Sequence, residues 1–221
     1  MTAPKGRIVI LESPDPMDLL QGRSEAQTLA AACKLIGYET ASFTIRSKAE
    51  FDKTCEYIST ITEDHDATES NDIPLFIHIS CHGNKSGLAF GTDPVTWKQL
   101  AKSISPLCNM ENYSGGFVLS ISACGAGGQT ITSKLSTAFK TDGAITPPHY
   151  LFVTAGDEVA WDDAAVSWVN LYHKLGNMNL AHRFSLQKSL DAITELTGAQ
   201  LSYYRWAEDE SKFRRYATNA T

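Results

Sequence analysis

The chain has 221 residues, 43% of them hydrophobic and 20% charged, with a formal net charge of -6. Such a composition belongs to a globular chain of single-domain length that folds without disulfide staples. The acidic balance and the lack of a basic stripe argue against direct nucleic-acid binding, and no apolar run approaches the roughly 20 residues that span a bilayer.

Strand-like apolar runs alternate with stretches of helical period. Residues 7–12 (RIVILE) read as a first buried strand, broken by Ser13-Pro14-Asp15-Pro16. Apolar residues at helical spacing over 26–36 predict a helix, and Gly37 is its natural C-cap. Residues 39–45 alternate like a second strand, and 49–61 return to helical spacing. The acidic, aperiodic stretch 62–72 predicts an exposed loop.

Residues 73–80 (IPLFIHIS) predict a central third strand, and 88–90 the start of a short hairpin. A helix is expected over 96–104, a fourth strand over 116–122, a helix over 129–139 and a fifth strand over 150–154. Two helices follow, near 164–175 and 181–196, and the tail after Gly198 is either one more short element or an end without structure. Lys212, Arg214 and Arg215, beside Glu208, Asp209 and Glu210, read as a solvated mixed-charge tail. This order implies α/β architecture, with a mainly parallel sheet and helices on both faces.

The five cysteines, Cys33, Cys55, Cys81, Cys108 and Cys124, include no CxxC pair. No metal site or cofactor is therefore expected, and with no signal segment in view the expectation is a reduced, cytoplasmic protein. His65, His149, His173 and His182 have no neighbour at ligand spacing and read as structural or surface residues. Gly125–Gly128 resembles a phosphate loop only superficially, because the Lys-Ser/Thr ending is absent.

In open α/β sheets, functional groups gather beyond the carboxyl ends of the strands. The third strand ends in Ser80-Cys81-His82-Gly83 and the fourth in Ser122-Ala123-Cys124-Gly125. If the two strands are neighbours, His82 and Cys124 emerge on one rim. A thiol and an imidazole placed there are the parts of acyl transfer: a thiolate nucleophile, and a base that later protonates the leaving amine. Glycine beside each permits close approach of a substrate backbone. The N–H groups of Gly83 and Cys124 are the candidate oxyanion donors. Cys81, one residue out of phase with His82, should face the opposite core.

The block Ile77-His78-Ile79-Ser80-Cys81-His82-Gly83, followed by Leu119-Ser120-Ile121-Ser122-Ala123-Cys124-Gly125-Ala126-Gly127, resembles the two motif blocks of the caspase-like (clan CD) cysteine peptidases. Against the caspase signature Q-A-C-[RQG]-G, Ser122 replaces Gln and the second Gly falls one position later, at Gly127. Ser-Ala-Cys followed closely by Gly is nearer to the CHAT branch. Phe152-Val153-Thr154-Ala155-Gly156-Asp157, with Trp161-Asp162-Asp163-Ala164-Ala165, is similar to the strand, turn and helix of that branch. The resemblance spans 73–196. Residues 1–72 fit the fold but match weakly, and 199–221 form a tail to what reads as one domain over 1–221.

The resemblance implies a caspase-like three-layer α/β/α sandwich and a thiol protease that cleaves peptide bonds in protein substrates. Cys124 would be the nucleophile, His82 the general acid–base and Gly83 an oxyanion donor, with no strict third catalytic side chain. It also implies regulation, by a protein partner or by nicking within 62–72 or 140–148, in a stress or defence pathway. For substrate binding, Arg23 lies in the loop region where true caspases hold an acidic P1 side chain. The acidic floor that metacaspase-like enzymes carry two positions before the nucleophile is absent, because Ser122 stands there. Asp157 and Glu158 either pair with a basic substrate side chain or are N-terminal helix residues favoured by the macrodipole. Trp161 is expected at the cleft, and the other tryptophans in the core or in groove walls.

Two other readings compete. A catalytically silent caspase-like module would bind a protein partner through the same fold. A nucleotide- or flavin-binding domain would need a glycine-rich turn after the first strand, where Ser13-Pro14-Asp15-Pro16 stands instead.

Overall fold

A computed structural model of the chain describes residues 4–62, 73–127, 129–141, 145–178 and 183–215. Strand β1 (Arg7–Ser13) pairs in parallel with β2 (Glu39–Thr44) on one side and β3 (Leu75–Asn84) on the other. β3 pairs in parallel with β6 (Phe117–Ser122), and β6 with β7 (Tyr150–Thr154). The strands β8 (Leu201–Ala207) and β9 (Lys212–Arg215) then extend the sheet antiparallel, giving the order β2-β1-β3-β6-β7-β8-β9. A hairpin of β4 (Gly87–Phe90) and β5 (Asp93–Thr96) hangs from the end of β3.

The strands β1, β3, β6 and β7 are near-continuous apolar runs because both of their faces are covered. On one face Val9, Leu11, Ile77, Ile79 and Leu119 pack against α3 (Lys48–Ile58), α4 (Trp97–Ser103) and α5 (Gln129–Thr141). On the other, Ile8, Ile10, Phe76, Val118 and Phe152 pack against α2 (Glu25–Ile36), α6 (Trp161–Leu175) and α7 (Arg183–Thr197). The arrangement is a mixed α/β fold compatible with three layers. Trp97 lies in the first core and Trp168 in the second, both fully enclosed. Burying side chains of that size stabilises the fold by roughly 3 kcal/mol each.

The expected alternation of strands and helices is present, with three differences. The dipeptides Ser13-Pro14 and Asp15-Pro16 do not simply break β1. Pro16 begins a short helix, α1 (Pro16–Leu20), capped by Asp15. β3 continues past Ser80 to Asn84, because His82, Gly83 and Asn84 pair antiparallel with Ala89, Leu88 and Gly87. The tail after Gly198 contributes β8 and β9, so the basic cluster sits on a strand, where Glu210 forms ion pairs with Lys212 and Arg214. The expected loop over 62–72 lies, from 63 onward, outside the described residues, as do His65, His182 and residues 142–144 of the 140–148 loop. No helix among the described residues is long and apolar enough to cross a membrane.

Candidate active site

Register places the two reactive side chains. Ser80 of β3 stands opposite Ser122 of β6, so His82 and Cys124, each two residues further on, reach the same rim of the sheet. Both lie in phase with His78 and Ser120, on the α2/α6 side. Gly83 makes the close approach possible. A Cβ there would stand 3.0 Å from both the Ala123 Cβ and the Cys124 carbonyl oxygen. Gly125 turns the chain at φ +71°, and its N–H donates to the Gly156 carbonyl at 3.0 Å, tying the turn after β6 to the bend after β7.

The imidazole is held from below by α1. Nε2 of His82 lies 3.0 Å from Oδ2 of Asp18 and 3.6 Å from Oδ2 of Asp15. α1 buries only Asp18. Two reciprocal bonds keep this short helix wound: Asp15 Oδ1 accepts from the Asp18 N–H at 2.8 Å, and Asp18 Oδ2 from the Asp15 N–H at 3.1 Å. The first of these bonds holds the Asp15 carboxyl below its ordinary pKa, with a smaller contribution from His82. The ring edge of His82 meets Trp161 at a centroid distance of 6.0 Å. Asp15, Asp18 and His82 bring three ligand-type atoms within 4.8 Å of one another, and this is the cluster among the described residues with the donors for a cation.

A second acid lies deeper. Glu12 accepts from the Ser24 hydroxyl at 2.8 Å and from the Ala26 N–H at 2.9 Å, which fixes the first turn of α2 and turns Glu25 inward. Glu25 is buried. Its Oε1 is 2.6 Å from His78 Nε2, and its Oε2 accepts from the Ser122 hydroxyl at 2.9 Å. His78 Nδ1 in turn meets the Tyr172 hydroxyl at 2.9 Å. A buried carboxylate needs such partners, since an unpaired one would cost several kcal/mol.

A pocket of about 140 Å³ opens beside Cys124, walled by His82, Ser122, Thr154, Trp161 and Glu25. A wider one of about 500 Å³ lies across Trp161 and Glu25, with Arg23, Thr28 and Asp162 in its wall. Of the residues expected to bind substrate, Ser122 and Trp161 therefore line the inner pocket and Arg23 the outer one. The Arg23 guanidinium is half exposed and 3.9 Å from Asp18. Asp157 and Glu158 are exposed in the bend after β7 and wall neither pocket. Asp157 pairs with Lys85 at 3.0 Å. Cys81 belongs to the opposite core, as its phase required, while also reaching the edge of the inner pocket.

Burial separates the thiols. It pushes Cys33 up to about 12 and Cys55, Cys81 and Cys108 higher still, whereas Cys124 is partly open to solvent. Sequence reasoning did not single out Asp18, Asp15, Glu25 or His78. For the first two the signal was the Asp-Pro-x-Asp spacing of a capping box. For His78 it was a polar residue inside an apolar strand run. No model of a known protein family matches the chain, and no curated protein matches it.

Proposed function

We propose that the chain is a cysteine endopeptidase of the caspase-like type, with Cys124 as nucleophile, His82 as general acid–base and Asp18 positioning the imidazole. One observation carries this reading. His82 and Cys124 each stand two residues beyond the last parallel pair, Ser80 and Ser122, of β3 and β6 and wall one pocket, with the imidazole anchored on a buried carboxylate.

The chemistry follows from the tautomer that Asp18 selects. An Nε2–H that donates to Asp18 leaves Nδ1 as the nitrogen that exchanges a proton with the thiol. The thiolate attacks the carbonyl carbon of the scissile bond, and the electron pair moves to oxygen. The N–H groups of Gly83 and Cys124 are the proposed donors for that oxyanion. Collapse of the tetrahedral species expels the amine, which takes the proton from the imidazolium and leaves an acyl-thioester on Cys124. Water, giving its proton back to His82, then releases the acid and restores the thiol.

The test is cleavage of fluorogenic peptides with mixed P1 residues by wild type and by Cys124→Ala. Cleavage is expected from wild type alone. Equal cleavage by the variant would overturn the assignment. So would silence from both proteins together with failure of a peptidyl acyloxymethyl ketone to label Cys124. That second outcome would favour the partner-binding module instead.

A further inference from the structure

We infer that Glu25 determines specificity, and that the substrates present an arginine or lysine side chain at the residue preceding the cleaved bond. The inference rests on the peptidase reading and concerns what the pocket beside Cys124 accepts.

A substrate carbonyl placed for attack by Cys124 directs the preceding side chain into the adjoining cavity, the pocket of about 140 Å³ that has room for one side chain. Its apolar walls are Ala123, Val159, Ala164 and Trp161, which suit an aliphatic stem. Its polar groups are Ser122, Thr154 and Glu25, with His82 at the mouth facing Asp18. The Ser122 hydroxyl donates a hydrogen bond to Glu25, which brings a carboxylate from α2 into the wall of this pocket.

The carboxylate has acceptor capacity to spare. The Tyr172 hydroxyl meets Nδ1 of His78 at 2.9 Å. Nε2 of the same imidazole lies 2.6 Å from Glu25 Oε1. The two described side-chain bonds occupy one lone pair on each oxygen, of about four acceptor sites in all. A guanidinium or ammonium entering the pocket can take the remaining acceptor sites in charge-assisted hydrogen bonds.

The opposite preference has weaker support. Arg23, the cation available to an acidic side chain, stands in the outer pocket, where Asp162 and Glu25 oppose it, and is already directed at Asp18. An acidic substrate group in the inner pocket would meet Glu25 without a paired cation.

The test profiles wild type and Glu25→Gln against peptides that differ only in the P1 residue. Iodoacetamide labelling of Cys124 reports whether the pair stays intact in the variant. Wild type is expected to cleave after Arg or Lys at least about 10-fold better than after Asp, Glu, Leu or Gln. Glu25→Gln is expected to lose roughly 10- to 100-fold in kcat/KM on the basic peptides, as for a charge-assisted hydrogen bond, with Cys124 labelled as fast as in wild type. Cys124-dependent cleavage with an acidic or apolar preference would overturn the role of Glu25 and leave the peptidase standing. So would a Glu25→Gln variant with the wild-type profile. If that variant fails to fold, wild-type Cys124 decides alone: labelling by a peptidyl-arginine ketone no faster than by its aspartate counterpart overturns the inference. Absence of all Cys124-dependent cleavage, together with failure of the peptidyl ketones to label Cys124, would instead remove the peptidase reading beneath it.

Discussion

Asp18 serves two partners with one atom. Its Oδ2 accepts the Asp15 N–H, which winds α1, and the imidazole of His82. In Asp18→Asn the amide oxygen can still cap α1, but the ring loses its anion. The expected result is a fall in kcat of about 100-fold, the lower range for a positioned acid–base, with KM changed less than about twofold. A merely structural residue would move the melting temperature and leave that split unmade. Steady-state kinetics beside a thermal melt distinguishes the two. His82 and Cys124 were legible in the sequence because each closes an apolar run and is followed by glycine. Asp18 and Glu25 were not, because tertiary packing gives them their contacts with His82, His78 and Ser122. An acid in the first turn of an amphipathic helix ordinarily means only a favourable macrodipole interaction, and only the contacts with His78 and Ser122 make Glu25 something else.

At the scale of elements, α1 is the short piece on which the site depends. It spans Pro16–Leu20 and exposes Met17, Leu19 and Leu20, so its capping box contributes more than apolar burial does. The Asp15 carboxyl is depressed by the Asp18 N–H. A carboxyl whose folded pKa is depressed stabilises the native state above its unfolded pKa, and the benefit fades as pH falls through the folded value. Asp15→Asn should therefore lower the urea midpoint most near neutrality, and the gap from wild type should close in strong acid. A gap that widens on acidification would contradict this sign. The reading of Pro14-Asp15-Pro16 as a breaker missed α1 because the same residues that stop a strand can start a helix: proline is tolerated at the first helical position, where its missing N–H costs nothing. The central strands were legible as apolar runs covered on both faces. β8 and β9 were less so, because aromatic, polar and charged residues mix along them and only pairing with β7 orders them.

At the scale of the molecule, the sheet and its helices sort the cysteines. Four thiols lie in the two cores with their pKa raised by burial, and Cys124 lies at the rim. Limited iodoacetamide treatment of the native protein at neutral pH should therefore modify Cys124 first, as read by peptide mass mapping. The other four should follow together once denaturant unfolds the chain. Equal labelling of all five in native conditions would mean that the cores are open. The parallel pairing that joins β3 to β6 has a further consequence during synthesis. The groups around Cys124 come from α1, α2, β3, β6 and the start of α6, as far apart in the chain as Asp15 and Trp161. Contacts of such long range form late, after the intervening chain has been made and folded. A growing polypeptide on the ribosome thus carries Cys124 without the groups that surround it in the fold, and the pocket beside the thiol comes into being only when the fold is nearly complete.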